Sequence, residues 1–141
     1  MIKFERSEKN PILGPNKKNS WEVKAAFNPS VVSNGKKYYL LYRAISDLQK
    51  RQGFELEISS IGCAEGNTYD TFKNRRKLVE PEFYWEAFGC EDPRVTKIDG
   101  KYYIFYTALS VYPFSAEGIK VGLAITKDFK KIEEKHLVTP F

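Results

Sequence analysis

Cysteine is nearly missing from this chain: Cys63 and Cys90 are the two present in 141 residues, and they stand outside any CxxC spacing. That count excludes a disulfide framework and a thiolate zinc site, so both are expected as buried, reduced thiols. The one histidine, His136, has no partner at metal-ligand spacing and reads as a surface residue, so no metal is expected. No run approaches the ~18–20 continuous apolar residues of a membrane helix, and no membrane association is expected. The first fifteen residues mix Lys3, Glu5, Arg6, Glu8 and Lys9 among apolar ones and lack the apolar middle of a secretory signal, which points to a cytoplasmic location. Helical periodicity is poor throughout; residues 127–135 come nearest to it, at the length of a turn.

Aromatic residues, by contrast, are plentiful. Nine Tyr, ten Phe and two Trp make up 15% of the chain, which favours strands and is common on sugar-handling surfaces. Hydrophobic residues at 42% and charged residues at 29% fit one ordinary globular domain. The net charge is +5, from 23 Lys+Arg against 18 Asp+Glu. Its basic residues fall in short groups near turn signals, such as Lys36-Lys37 and Lys130-Lys131, interleaved with acids. A nucleic-acid footprint needs one clustered face, so no nucleic-acid partner is expected.

The chain repeats itself. Residues 21–46 lie without a gap on residues 85–110 at an offset of 64, with ten identities in 26 positions. Trp21-Glu22 falls on Trp85-Glu86, Pro29 on Pro93, and Tyr42 on Tyr106. Further on, Ile61-Gly62-Cys63-Ala64 echoes Val121-Gly122-Leu123-Ala124, and Leu78-Val79-Glu80-Pro81 echoes Leu137-Val138-Thr139-Pro140. Two units result, about 21–83 and 85–141, within one domain spanning 1–141. Asn34-Gly35 and Asp99-Gly100 are hairpin turn dipeptides suited to a type I′ turn, each between apolar runs. Third strands are expected at 60–64 and 120–125, and short fourth strands near 77–79 and 136–138. Four strands per repeated unit describe propeller blades; a plain antiparallel meander or sandwich is the rival, and it leaves the matched Trp-Glu pair and pre-hairpin loops unexplained. Propellers typically hold 4–8 blades, so two blades leave a ring unclosed and the chain is expected to be the N-terminal part of a longer one.

Function in propellers usually lies in the loops entering the innermost strands, here residues 25–30 and 89–94. Asn28 and Asp92 hold the same repeat position, one an amide and the other a carboxyl. Gly89-Cys90-Glu91-Asp92-Pro93-Arg94 sets two carboxyls and a guanidinium beside a residue of fixed φ. An acid with an anion or hydroxyl binder fits that set, and so does a structural ion pair at a turn. Arg43, whose repeat partner is Thr107, reads equally as an edge arginine or as a hydroxyl- or phosphate-binding one.

Asn28-Pro29-Ser30, Leu40-Leu41-Tyr42-Arg43-Ala44, Glu91-Asp92-Pro93-Arg94 and Tyr103-Ile104-Phe105-Tyr106-Thr107-Ala108, in this order, resemble the start of glycoside hydrolase family 130, the β-mannoside phosphorylases and related hydrolases. The resemblance implies an all-β fold, a five-bladed β-propeller of which this chain supplies about two four-stranded blades. It further implies a pocket for a terminal mannosyl unit of a small β-mannosyl oligosaccharide. Asp92 matches the proposed general acid, which protonates the glycosidic oxygen through the sugar's own 3-hydroxyl while inorganic phosphate attacks the anomeric carbon with inversion. Asn28 and Arg43 match positions that contact the mannosyl unit, and Arg94 matches the motif arginine, with a site-shaping role. Lys120 begins a strand that bears a cation in some members and is expected to help hold phosphate. Inorganic phosphate is then a co-substrate, and no cofactor is expected. One acid with cations suffices for this chemistry, whereas ordinary glycoside hydrolysis needs two opposed carboxyls. The loop expected at residues 47–58 and the segment 66–72 lack the Ser-x-Asp-Gly-type turn expected after the third strand, which leaves the subfamily and the acceptor sugar open.

The leading expectation is a glycoside phosphorylase that releases mannose 1-phosphate, with the two-blade piece inactive alone. Its rivals are a β-mannoside hydrolase on the same fold and a non-catalytic glycan-binding propeller module. The open sheet edges of a two-blade piece also leave room for a homo-oligomer.

Overall fold

A computed structural model describes residue 3 and residues 5–139. Eight strands follow in order: β1 (Ala25–Ser33), β2 (Tyr38–Arg51), β3 (Phe54–Thr68), β4 (Thr71–Val79), β5 (Gly89–Ile98), β6 (Lys101–Leu109), β7 (Ile119–Thr126) and β8 (Glu134–Leu137). Each set of four is an antiparallel meander, β1 to β4 and then β5 to β8. A single parallel pairing, Ser59 with Gly89, stitches β3 to β5 at the seam between the blades. The innermost strands also touch, the Val95 N–H donating to Ser30 Oγ at 3.3 Å. Pro140, which closes the second repeat echo, lies outside the described residues.

Sequence identity between the units is spent on one lock made twice. Trp21-Glu22 and Trp85-Glu86 sit in short 3₁₀ turns just ahead of β1 and β5. Each glutamate is fully buried and accepts a phenol: Tyr42 Oη to Glu22 at 2.7 Å, Tyr106 Oη to Glu86 at 2.6 Å. Each tryptophan lies 6.3 Å from the same tyrosine ring. On the next strand a glycine faces that ring; a Cβ at Gly62 or Gly122 would come within 2.4 Å of it. A cation from the fourth strand completes each set, Arg75 on Glu22 and Lys135 on Glu86.

The blades share a core of Tyr39, Leu41, Ile61, Trp85, Tyr102, Ile104 and Phe129. Phe129 plugs it from the turn where helical periodicity came nearest: its ring lies 4.4 Å from Tyr39 and 4.3 Å from Tyr102. No helix forms there, because Phe129 has φ +59° and Thr126 Oγ1 accepts its N–H.

Strand boundaries differ from the sequence expectation in three places. Asp99-Gly100 makes the expected tight turn, both residues having positive φ. Asn34-Gly35 does not; a four-residue loop forms, in which Asn34 Oδ1 accepts the N–H groups of Lys36 and Lys37. That side chain supplies the turn bonds otherwise made by the backbone. Residues 47–58 are no loop but the far half of the β2–β3 hairpin, turning at Gln52-Gly53 with positive φ at both. The first blade's fourth strand, β4, runs well back from 77–79 to Thr71.

Both thiols are buried, and burial pushes Cys63 up to about 12 and Cys90 well above the ordinary thiol range. Neither is therefore expected to react with a disulfide thiol reagent at pH 8 until the chain unfolds. Labelling in the presence and absence of denaturant checks this; rapid modification of the native protein would contradict the burial.

Candidate active site at the blade seam

Both Asx-Pro pairs form bulges. Pairing of β1 with β2 skips between Phe27 and Ser30, and pairing of β5 with β6 skips between Glu91 and Arg94. Asn28 and Asp92 take φ +49° and +52° at those skips. Asn and Asp tolerate this left-handed region better than other side chains, and proline, which lacks an N–H, fits a bulge. The bulges turn the two side chains toward each other, and Asn28 Nδ2 donates to Asp92 Oδ1 at 2.8 Å.

Arg43 joins them from β2. Its Nη2 lies 2.5 Å from Glu91 Oε1 and its Nη1 3.7 Å from Asp92 Oδ1. Phe27, opposite Arg43 in the ladder, holds the guanidinium 5.0 Å above its ring. In the second blade the same two repeat positions are Glu91 and Thr107. The cation of one blade thus meets the anion of the next, and the repeat is broken at the residues that carry charge.

Three of the sequence candidates, Asn28, Arg43 and Asp92, are therefore in one cluster. Arg94 is exposed and its Nη1 donates to the Pro93 carbonyl at 2.8 Å; among the described residues no ion pair joins it to Asp92. Lys120 stands on β7 opposite Ala108, which pairs with Cys90, so it is two strand spacings, ~10 Å, from β5. Sequence reading left out Glu91 as a site residue, and also Ser59 and Phe27. Ser59 Oγ donates to Glu91 Oε1 at 2.9 Å across the seam. Burial raises the Glu91 carboxyl above its ordinary range, against the opposing pull of Arg43 and the Ser59 bond. The signal was present for two of them: Phe27 and Glu91 share a repeat position and differ in charge, as Asn28 and Asp92 do.

A cleft of about 730 Å³ opens beside the cluster, lined by Arg43, Ser59 and Glu91 together with Leu56, Tyr112 and Phe114. That volume lies in the usual range for small-molecule sites, ~300–1,000 Å³. A second hollow of about 400 Å³, walled by Lys9, Lys37 and Glu65, lies away from the seam, with Lys9 paired to Asp70 and Lys37 to Glu65. Among the described residues no group of three His, Cys, Asp or Glu is placed to hold a metal ion, and no helix is long and apolar enough to cross a membrane.

Comparison with known proteins follows the same lines. A β-1,2-mannobiose phosphorylase of Thermoanaerobacter sp. (strain X514) is 38% identical over 115 residues, covering 76% of this chain and 37% of that protein. A 1,2-β-oligomannan phosphorylase of the same organism is 32% identical over 139 residues, covering 98% of this chain and 46% of its own length. This chain spans under half the length of either. The β-1,2-mannobiose phosphorylase of Listeria innocua, solved with β-1,2-mannobiose, superposes with a TM-score of 0.69 at 20% identity, over 94% of this chain and 49% of that one. The two blades are accordingly part of a five-bladed β-propeller. The model of glycoside hydrolase family 130, described as β-1,4-mannooligosaccharide phosphorylase, matches residues 3–137. By this match over most of its length, the chain belongs to glycoside hydrolase family 130.

Proposed function

We propose that the protein is a β-mannoside phosphorylase, cleaving a terminal β-mannosyl linkage with inorganic phosphate to give mannose 1-phosphate and the shortened sugar. The observation that carries this reading is the Asn28–Asp92–Arg43 cluster, a partly exposed carboxyl held by an amide and by a guanidinium that lines the neighbouring cleft. Asp92 is the acid. Its proton passes to the 3-hydroxyl of the bound mannosyl ring, which gives its own proton to the glycosidic oxygen as the bond from that oxygen to the anomeric carbon breaks. A phosphate oxygen forms the new bond from the opposite face, so the configuration inverts. Asn28 and Arg43 orient the mannosyl unit and the acid; Glu91, bonded by Ser59, fixes the Arg43 fork. Arg94 shapes the mouth, and Lys120 adds positive charge for phosphate from the third strand. The curated relatives act, by name, on β-1,2-linked mannosides, which favours that linkage here.

The test uses the chain continued through its remaining blades, with β-1,2-mannobiose as substrate. Mannose 1-phosphate is expected, at a rate that rises with added phosphate and vanishes without it. Free mannose released at equal rate in phosphate-free buffer would replace this reading with the hydrolase.

A further inference from the structure

The seam between the blades is keyed at one point. β3 and β5 share a single backbone pairing, Ser59 with Gly89, and the Ser59 side chain fills the space that a side chain at residue 89 would need: a Cβ there would lie 2.2 Å from Ser59 Oγ. Ser59 is 3% exposed, and its hydroxyl donates to Glu91 Oε1 at 2.9 Å, two residues farther along β5. The same oxygen takes Arg43 Nη2 at 2.5 Å. Arg43 itself is held at few points. Its buried Nε meets no acceptor among the described residues, so the guanidinium is fixed by Glu91, by a longer approach of 3.7 Å to Asp92 and by the face of Phe27. A carboxylate of the second blade is therefore clasped between a hydroxyl and a cation of the first.

Of the two units, only one supplies this pair. Ala25 stands at the repeat position of Gly89, opposite Ile45 where Gly89 is opposite Leu109. Ile119 stands at that of Ser59, again opposite Leu109 where Ser59 is opposite Ile45, and it carries no hydroxyl. The Trp-Glu-Tyr-Gly lock, which holds a blade together, is made in both units. A contact that served the blade fold alone would recur in the same way; this one stands only where Asn28, Arg43 and Asp92 meet.

We infer that Ser59 is a positioning residue for the site: its hydroxyl, seated over Gly89, holds Glu91 and through it the Arg43 guanidinium in the place that receives the mannosyl unit. This rests on the mannoside reading of the cluster. Three charged groups meet here, Glu91 and Asp92 from β5 and Arg43 from β2, with Ser59 the neutral partner from β3. Burial, and to a smaller degree the Asp92 charge, raises the Glu91 carboxyl, while Arg43 and the Ser59 bond act against that rise. Without the hydroxyl Glu91 takes up a proton at higher pH, and a protonated Glu91 no longer pairs with Arg43.

The test is calorimetric binding of β-1,2-mannobiose to the five-bladed protein across pH, for the parent, Ser59→Ala, Glu91→Gln and the double variant. Ser59→Ala is expected to weaken binding by about 3- to 10-fold at neutral pH, the size of effect one positioning contact exerts on a neighbouring site. Its loss of affinity on acidification is expected to begin at higher pH than in the parent. In Glu91→Gln, which has no carboxyl to titrate there, adding Ser59→Ala is expected to produce no such shift. An equal loss at every pH would make Ser59 merely structural and overturn the inference. So would unchanged binding, or a shift that persists in Glu91→Gln, which would assign it to Asp92. A parent that binds no mannobiose overturns this inference and the mannoside reading together. A parent that binds it but forms no mannose 1-phosphate refutes phosphorolysis alone and leaves the pH comparison decisive.

Discussion

Replacing Asp92 by Asn is expected to lower kcat for phosphorolysis of β-1,2-mannobiose by about 10²–10⁴-fold, the usual contribution of a general acid, while KM stays within about threefold. Asn is the informative choice because it keeps everything at this position except the proton. Its backbone tolerates the φ of +52°, so the bulge survives. Its carbonyl oxygen still accepts from Asn28 Nδ2, now 2.8 Å from the carboxyl. Substitution by Ala would instead place an ordinary side chain in the left-handed region and confound chemistry with strain.

Steady-state kinetics on Asp92→Asn and Glu91→Gln side by side discriminate between the two adjacent carboxyls. Glu91 has its pKa raised by burial, which is what an acid working at neutral pH needs. It is also bound by Ser59 and Arg43 through one oxygen, as a positioning residue would be. If Asp92 is the acid, Glu91→Gln lowers kcat less than Asp92→Asn and raises KM more, since Arg43 loses its anchor. A Glu91→Gln protein that is inactive beside an active Asp92→Asn would move the acid by one residue. Unchanged kinetics in both would place the acid outside this pair, and a parent protein with no phosphorolysis to measure would return it to the glycan-binding reading.

Blade architecture was readable in the sequence because the repeat preserves side chains whose roles are local and paired. Trp85, Glu86, Tyr106 and Gly122 recur at or near the offset of Trp21, Glu22, Tyr42 and Gly62, since a buried carboxylate, its phenol and the glycine beneath the ring must all be present together. The far half of the β2–β3 hairpin was not readable. Asp47, Lys50, Arg51, Glu55 and Glu57 give that stretch the composition of a solvated loop, and its Gln52-Gly53 turn lacks the Asn or Asp that marks such turns. Ser59 and Glu91 were hidden for another reason. Their contact spans the seam, so it depends on how one blade packs on the next rather than on any spacing within a blade. Phe129 is similar: a turn of Lys, Asp and Lys gives no hint that the phenylalanine inside it fills the space between Tyr39 and Tyr102.

The Glu86 lock carries the largest expected effect on stability. Glu86 is fully buried and accepts from Tyr106 Oη at 2.6 Å, from the Glu82 and Phe83 N–H groups at 3.0 and 3.2 Å, and pairs with Lys135, itself 6% exposed. Glu86→Ala removes the acceptor common to all of them. Breaking a buried pair by deleting one partner costs about 3–5 kcal/mol, because the cation left behind stays desolvated. That is a large part of the ~5–15 kcal/mol that holds an ordinary domain together, so urea unfolding of Glu86→Ala is expected to show a greatly lowered midpoint or no folded baseline. Removing the whole polar set should be far milder. In Glu86→Leu with Lys135→Met and Tyr106→Phe no buried charge or hydroxyl is stranded, and most of the loss is expected to return. A triple variant as unstable as Glu86→Ala would mean that the two N–H groups, which lose their acceptor in both proteins, carry the cost. The lock would then act as a cap on the 3₁₀ turn rather than as an ion pair. Either way the lock adjoins the site, since Cys90, whose Sγ–H donates to Glu86 Oε2 at 3.4 Å, immediately precedes Glu91 and Asp92 on β5.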